Sequence, residues 1–221
     1  MPLSIGSLFS GAGLCDLGFH RAGFEHQFFC EVDPYCRSVL ERHWPGVPIY
    51  NDIRAIAPEQ LPRVDVLSGG FPCQDVSATG KRAGINNNTR SGLWYEYKRI
   101  IEGIRPKYAV IENVKGILSK GLETVLSDLS AIGYDAQWQS IPAALFGAPH
   151  LRERVFIYRV DDGRSGRLDG TGGAKSSLPA VSQEERARWI PILKALGNGI
   201  TPQQSYAVAR CILAAEGMAD E

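Results

Sequence analysis

The sequence predicts an α/β fold in which helices cover both faces of a mostly parallel sheet. From residue 4 to about residue 160, short runs rich in β-branched and aromatic residues alternate with longer amphipathic stretches, the pattern of successive βαβ units. The chain has 221 residues, of which 44% are apolar. This length and composition favour one domain with a substantial core over two domains of ordinary size.

The predicted strands are short apolar runs near residues 4–9, 27–31, 48–50, 64–68, 108–112, 136–140 and 154–159. Helices are predicted between them, over Leu14–Ala22, Pro34–His43, Trp94–Ile104 and Gly121–Ile132. Two further helices are expected around Ser182–Leu193 and over Gln203–Ala215, separated by the turn Gly197–Pro202. No internal repeat interrupts this order.

Two polar stretches are predicted to lack regular structure. Ala78–Gly92 begins shortly after Cys73 and contains glycines, asparagines and basic residues, so we expect a mobile loop that could fold over a bound substrate. Asp161–Ser177 has almost no large apolar residue and has the composition of a linker, which predicts disorder or a flexible hinge.

Charge and cysteine content narrow the class of protein. Lys plus Arg and Asp plus Glu number 24 each, so the overall charge gives no sign of nucleic-acid binding, although a neutral total can conceal a basic cleft. The five cysteines are scattered without paired spacing, which argues against disulfides and structural zinc, and no metal is expected. No apolar run approaches the roughly 20 residues of a membrane span. We therefore expect a soluble, cytoplasmic protein in a reducing compartment.

The first candidate site is the glycine turn Phe9–Gly13, which lies between a predicted strand and a predicted helix. Such a backbone can approach a ligand closely, although an ordinary tight turn explains a short glycine pattern equally well. Glu31-Val32-Asp33 follows the second strand, where nucleotide-binding folds hold ribose hydroxyls, and Asn51-Asp52-Ile53 follows the third. Each acid alone could be a helix cap or a solvated turn residue, but their order favours an adenosine-containing ligand.

The second candidate site combines Cys73 with Glu112. Gly69-Gly70-Phe71-Pro72-Cys73 places a cysteine just after an apolar strand, where it is poorly placed for packing and well placed for attack, although free cysteines are more often small buried apolar residues. Glu112 ends the next long apolar run, so it is expected beside Cys73 at the carboxyl edge of the sheet. Burial there would raise its pKa, whereas the alternative is a surface pair with Lys115.

Two arginines complete the candidate residues. Arg152 and Arg154 alternate at the start of the last predicted strand, so both are expected on one face. They could be ordinary solvent-facing arginines at a strand edge, or they could contact a phosphate, carboxylate or carbonyl group of a substrate.

In this order, these motifs resemble those of the DNA cytosine methyltransferases that methylate ring carbon 5. The likeness covers roughly residues 4–160 and 195–215 and implies a Rossmann-like, S-adenosylmethionine-dependent fold acting on double-stranded DNA of a prokaryote or phage. It implies that Cys73 is the nucleophile, that Glu112 engages cytosine ring nitrogen 3, and that Arg152 and Arg154 lie beside a flipped base. The cofactor residues it implies are Phe9, Ser10, Gly11, Ala12, Gly13, Leu14, Glu31, Val32, Asp52, Ile53, Pro72, Leu93 and Asn198.

The sequence also departs from the family. His150-Leu151 stands where the family often has glutamine and arginine, and residues 161–194 form a short linker-like segment where it usually has a target-recognition domain. That segment is too short to bury the roughly 600 Å² that even one small DNA-reading module uses. The predicted organisation is a catalytic domain over 1–160, this segment, and a returning carboxyl-terminal helix within 195–221. Sequence selection is expected to be weak or to come from a second subunit.

Three other functions remain open from the sequence. One is a catalytically silent methyltransferase-like subunit that binds nucleic acid or a partner, and another is an RNA cytosine methyltransferase, since cytosine presents the same ring atoms in RNA. The third is a nicotinamide oxidoreductase, which the glycine turn alone would suggest but which leaves Cys73 and Glu112 without a role.

Overall fold

A seven-stranded sheet forms the centre of the part of the chain that the structure describes. The structure is a computed structural model and describes residues 1–72, 92–159 and 200–218. Its strands are β1 (Ser4–Leu8), β2 (Glu25–Cys30), β3 (Ile49–Tyr50), β4 (Val66–Gly69), β5 (Tyr108–Val114), β6 (Ala136–Ile141) and β7 (Arg154–Arg159). Its α-helices are α1 (Leu14–Arg21), α2 (Pro34–His43), α3 (Leu93–Ile104), α4 (Ile117–Lys120), α5 (Leu122–Ala131) and α6 (Pro202–Ala215).

The order of the strands brings the candidate residues to one edge of the sheet. The order is β3-β2-β1-β4-β5-β7-β6, in which β1 to β5 are parallel and β7 lies antiparallel between β5 and β6. The carboxyl ends of the parallel strands therefore share an edge, here called the carboxyl edge. Because Val114 pairs with Arg154, the amino end of β7 reaches the same edge.

Each face of the sheet has its own apolar core. On one face, Trp94, Ile101 and other residues of α3 pack with Leu67 of β4, Ile111 of β5 and Leu129 of α5. On the other face, α6 packs against α1 and shares a core cluster with all the central strands, whose members include Ile5, Val66, Val110, Phe156, Val208, Ala209 and Ile212. Helices therefore cover both faces, and the predicted α/β fold with a mostly parallel sheet is confirmed.

α1 and α6 approach each other unusually closely. A Cβ on Gly18 would lie 2.1 Å from the Ser205 hydroxyl and 2.4 Å from the Pro202 carbonyl oxygen, so only glycine fits there. This contact joins α1, near the amino terminus, to α6, near the carboxyl terminus of the described residues.

Two predictions about strands need correction. β5 does not end at Glu112 but continues to Val114, because the antiparallel partner β7 extends the ladder over the last three residues. Arg152 does not lie in β7, which begins at Arg154; its backbone has φ 32° and turns the chain into the strand. Within the described residues, the other predicted strands and helices are present, with ends that differ by up to two residues.

Several sequence predictions fall outside the described residues. They are the loop Ala78–Gly92 except for its last residue, the linker Asp161–Ser177, the helix around Ser182–Leu193, and the turn before Ile200. Among the helices that are described, none has the length and apolar character needed to cross a lipid bilayer.

Candidate active site

The glycine turn between β1 and α1 has three residues in the left-handed region. Phe9 and Gly11 have φ 55°, and Gly13 has φ 77° where it caps α1. A Cβ on Gly13 would lie 2.6 Å from the Trp44 ring, whereas at Gly11 no atom of the described residues lies within 4 Å of the corresponding position. The turn is therefore packed against the Trp44 ring at Gly13, whereas the space beside Gly11 is open.

Glu31 ties this turn to the end of β2. One carboxylate oxygen accepts a hydrogen bond from the Gly11 amide at 2.7 Å, and the other accepts one from the Asp33 amide at 2.8 Å. Asp33 in turn caps α2 by accepting from the amides of Tyr35 and Cys36. Since a carboxylate has about four lone-pair positions, Glu31 retains capacity to accept from a ligand hydroxyl.

Beside this carboxylate lie an exposed apolar side chain and a second acid. Val32 is 69% exposed, which is unusual for valine and leaves a flat apolar surface next to the turn. Asp52 caps the short 3₁₀ helix Ile53–Ala55 and forms a bidentate ion pair with Arg54, whose hydrogen bonds hold the pKa of the Asp52 carboxyl below its ordinary value.

At the end of β4, Gly70 leaves room for the Glu112 side chain. A Cβ on Gly70 would lie 2.4 Å from Oε2 of Glu112. Asn113 supports the same turn by donating from Nδ2 to the carbonyl oxygen of Phe71 at 3.3 Å. The chain at Pro72, one residue before Cys73, is thereby held close to Glu112.

The carboxyl group of Glu112 is buried but paired. Its side chain is 15% exposed, and Oε1 lies 2.9 Å from Nε of Arg154. Burial raises the pKa of Glu112 to about 7, although the charges of Arg154 and Arg152 oppose this increase. At neutral pH, Glu112 is thus divided between an acid that can donate a proton and a base that can accept one. The alternative pairing with Lys115 is wrong, because Lys115 pairs with Glu153 at 2.7 Å.

The two arginines reach Glu112 from different backbone positions. Arg154 is 13% exposed and is the first residue of β7, whereas Arg152 precedes the strand. Burial, with the nearby positive charge of Arg154, lowers the pKa of Arg152. Both side chains therefore lie near the carboxylate as expected, but strand alternation is not the reason.

Gln204 of α6 fixes the chain around Arg152. It is fully buried, and its Nε2 donates to the carbonyl oxygens of Ile141 at 2.6 Å and Arg152 at 3.1 Å. Its Oε1 accepts from the amide and hydroxyl groups of Thr201, both at 3.0 Å. One amide side chain thus ties the carboxyl-terminal helix to both ends of the connection between β6 and β7.

Sequence reasoning missed Gln204 and Gly70. The pattern Thr201-x-x-Gln204 is a helix-start signature that could have revealed the cap, but nothing in it indicates the contact with Arg152. The need for glycine at position 70 depends on a neighbouring strand, so only the fold reveals it.

The structure describes most of the predicted site residues but not all. Cys73 and Asn198 lie outside the described residues, as does the loop after Cys73. The residues of the glycine turn, Glu31, Val32, Asp52 and Ile53 follow β1, β2 and β3 at the carboxyl edge, and Pro72, Glu112, Arg152 and Arg154 gather at the ends of β4, β5 and β7. Leu93 begins α3. Within the described ranges, no cluster of three or more His, Cys, Asp or Glu residues could hold a metal ion.

The sequence profile of the C-5 cytosine-specific DNA methylases matches residues 3–212, nearly the whole chain. This chain belongs to that family. Its members transfer a methyl group from S-adenosylmethionine.

Individual methylases are similar over the same region. The Type II methyltransferase M2.BsuMI of Bacillus subtilis is 39% identical over 163 residues, which cover 70% of this chain and 41% of that protein. M.FnuDI of Fusobacterium nucleatum is 42% identical over 154 residues, covering 68% of this chain and 44% of that protein. M.AquIA of Picosynechococcus is 37% identical over 172 residues, covering 68% of this chain and 69% of that protein. The chain thus spans less than half the length of the first two relatives.

Solved structures show the same fold. A candidate DNA modification methyltransferase encoded within an E. coli prophage has a TM-score of 0.60 at 25% identity and covers 72% of this chain and 46% of that protein. Dnmt2 of Spodoptera frugiperda has a TM-score of 0.61 at 20% identity, covering 83% and 61% respectively, and this likeness concerns the fold alone.

The residues at the carboxyl edge fit the methyl donor of these methylases. The open position at Gly11, the exposed Val32 and the remaining acceptor capacity of Glu31 are suited to contacts with a nucleoside. Asp52 and Ile53 follow β3, the strand next to β2 in the sheet.

Proposed function

We propose that this chain is the catalytic core of a DNA cytosine-5 methyltransferase. The observation that carries the proposal is the buried ion pair between Glu112 and Arg154, held against Gly70 at the end of the strand that leads to Pro72-Cys73. The family match supports the class of reaction. Because the chain spans only part of most relatives, its activity and substrate are part of this proposal.

In the proposed reaction, the Cys73 thiolate adds to carbon 6 of a cytosine. Carbon 5 is a poor nucleophile in the aromatic ring, and this addition supplies electron density to it. Glu112 in its protonated form donates to ring nitrogen 3, which stabilises the negative charge that develops during the addition. Arg154 fixes the orientation of the Glu112 carboxyl group, and Arg152 adds positive charge beside the base.

The following steps restore the aromatic ring. Carbon 5 takes the methyl group that S-adenosylmethionine supplies when bound. A solvent base then takes the carbon-5 proton, the nitrogen-3 proton returns to Glu112, and the bond between carbon 6 and Cys73 breaks, which releases 5-methylcytosine and the thiolate. Because carbon 6 is inaccessible in stacked DNA, the target base must be flipped out of the duplex.

The methyl donor would be held by the residues around the glycine turn. Backbone groups of Phe9–Leu14 would line the amino-acid and ribose parts, Glu31 would accept from ribose hydroxyls, and Asp52 with Ile53 would receive the adenine. Val32 would pack on the adenine face, where its exposed side chain offers apolar area. Leu93, Pro72 and Asn198 complete this proposed set.

Target selection would depend on more than this chain. Residues 161–194 are too few for a DNA-reading module of ordinary size. A second subunit that supplies recognition is therefore part of the proposal.

The decisive experiment uses duplex DNA in which 5-fluorocytosine replaces cytosine. Fluorine at carbon 5 cannot leave as a cation, so an enzyme that uses this mechanism remains attached through Cys73 after methyl transfer. We expect an S-adenosylmethionine-dependent covalent complex with the wild-type chain and with Cys211→Ser, which changes an exposed cysteine of α6, but none with Cys73→Ser. A complex only with structured RNA would favour the RNA enzyme. No complex despite cofactor binding would point to a missing recognition subunit or to the silent subunit.

A further inference from the structure

The guanidinium group of Arg99 connects helix α3 to the segment that follows β3. Nη1 donates to the carbonyl oxygen of Ile56 at 2.8 Å, and Nη2 donates to that of Ile53 at 2.9 Å. Nε donates to Glu96 on the same helix at 2.8 Å, which fixes the direction of the side chain. The planar fork of arginine suits such a bridge between two backbone acceptors.

The bridged segment needs this support because β3 is a weak anchor. It has only two residues, Ile49 and Tyr50, and forms the edge of the sheet, with pairing restricted to Phe29 and Cys30 of β2. The 3₁₀ helix Ile53–Ala55 follows almost at once. Few ladder hydrogen bonds therefore hold this segment to the sheet itself.

α3 also packs closely on the same segment. A Cβ on Gly103 would lie 2.2 Å from Cβ of Pro58, the first residue of a second short 3₁₀ helix, Pro58–Gln60, that follows this segment. The helix α3 and this part of the chain therefore approach as closely as their backbones allow. The side chains of Ile53 and Ile56 are 3% and 4% exposed and belong to the core that includes Trp94 and Tyr97 of α3.

The other side of α3 is fixed to α5. Trp94 Nε1 and Lys98 Nζ both donate to the Asp128 carboxylate at 2.8 Å. Arg99 therefore projects from a helix that is anchored on its opposite side, and its hydrogen bonds transmit that fixed position to the carbonyl groups of Ile53 and Ile56.

We propose that Arg99 is a positioning residue for the nucleoside part of S-adenosylmethionine. It acts through the backbone of Asp52–Ile56, which it holds in the place where Asp52 and Ile53 receive the adenine. The inference rests on the proposed function, because the adenine site is part of that proposal. The binding of a nucleoside by a few hydrogen bonds depends on acceptors that are fixed before the ligand arrives.

The test measures binding of S-adenosylhomocysteine and of 5′-methylthioadenosine, which has the nucleoside but lacks the amino acid, by calorimetry on the full chain. We expect Arg99→Gln to weaken both ligands by the same factor, about tenfold, as the loss of charge-assisted hydrogen bonds would suggest. Arg99→Lys keeps the charge but not the fork, so it should also bind both ligands more weakly. It serves as the test variant if Arg99→Gln does not fold.

Lys98→Gln is the matched control, because it removes a charge and an ion pair from the same helix without touching the segment after β3, while Trp94 still holds α3 to Asp128. It should bind both ligands within about twofold of wild type. Unchanged affinity in both Arg99 variants, or a loss confined to S-adenosylhomocysteine, would overturn the inference. A loss of the same size in Lys98→Gln would also overturn it, because general loosening of α3 would then be the cause. If the wild-type chain binds neither ligand, the proposed cofactor site itself is wrong.

Discussion

Oε1 of Glu112 lies 2.9 Å from Nε of Arg154, although these residues are not direct partners in the sheet. Arg154 pairs with Val114, and Glu112 pairs with Phe156, so the ion pair is a diagonal contact between antiparallel strands. A carboxylate and a guanidinium that are both largely buried are stabilised only while each has the other. The pKa of Glu112 therefore depends in part on a residue 42 positions later in the chain.

Replacement of Glu112 by glutamine tests the role of its proton. Glu112→Gln is nearly isosteric but cannot protonate ring nitrogen 3, so methyl transfer should fall by about 10²- to 10⁴-fold, the usual contribution of a positioned acid. Affinity for S-adenosylhomocysteine should not change. Glu153→Gln is the control, since Glu153 pairs with Lys115 and Ser140 instead. Full activity in Glu112→Gln would contradict the proposed step.

The pKa of Glu112 predicts a dependence of the rate on pH. Burial favours the neutral acid, which is the form that donates, and this form is lost as the pH increases through about 7. The value of kcat/KM should therefore decline above that pH. In Arg152→Gln, a positive charge that lowers the pKa of Glu112 is removed, so the decline should begin at higher pH. A decline that stays in place or moves to lower pH would show that another group controls the profile.

Gly70→Ala tests the contact between the two strand ends. The new methyl group would occupy space 2.4 Å from Oε2 of Glu112, so the carboxyl group must move away from Arg154. We expect at least about a tenfold loss of methyl transfer, because small displacements of catalytic groups are costly. Binding of S-adenosylhomocysteine should be retained. An active Gly70→Ala variant would mean that Glu112 tolerates a different orientation.

Gln204→Met tests the tie between α6 and the chain at Arg152. Methionine fills a similar volume but leaves the carbonyl groups of Ile141 and Arg152 without this donor, which should lower the free energy of unfolding by about 1–3 kcal/mol. Gln203→Met is the control, because Gln203 is exposed on the same turn. The two variants are compared by urea denaturation, and equal stabilities would refute the structural role of Gln204.

Much of the fold follows from local sequence pattern. The turn between β1 and α1 and the strands β4 and β5 can be recognised from nearby residues, and these elements are present, although β5 extends beyond its predicted end. The pairing of β7 was not predictable in the same way. Its antiparallel direction extends β5 to Val114 and places Arg152 outside the strand, and both effects depend on a partner about 40 residues away.

The sequence predicts which residues form the candidate site, but it does not predict their geometry. The sequence motifs predict that Glu112 and Arg154 belong to one site. Their diagonal contact and the space left by Gly70 depend on the sheet register, which the sequence does not reveal. The sequence does not reveal the proposed positioning role of Arg99. An arginine on an amphipathic helix is ordinarily solvated, and the two groups that accept its hydrogen bonds are backbone carbonyls.

Because β7 is antiparallel, it begins at the carboxyl edge of the sheet and leaves the sheet at the opposite edge, whereas a parallel strand would do the reverse. Its first residue, Arg154, lies at the carboxyl edge, while its last, Arg159, pairs with Ala136 at the opposite edge. The chain therefore leaves the sheet on the side away from Glu112. Insertions and deletions directly after Arg159 begin far from the reacting groups, so evolution could vary the length of this connection, or a designer could replace it, without altering the carboxylate and arginine arrangement.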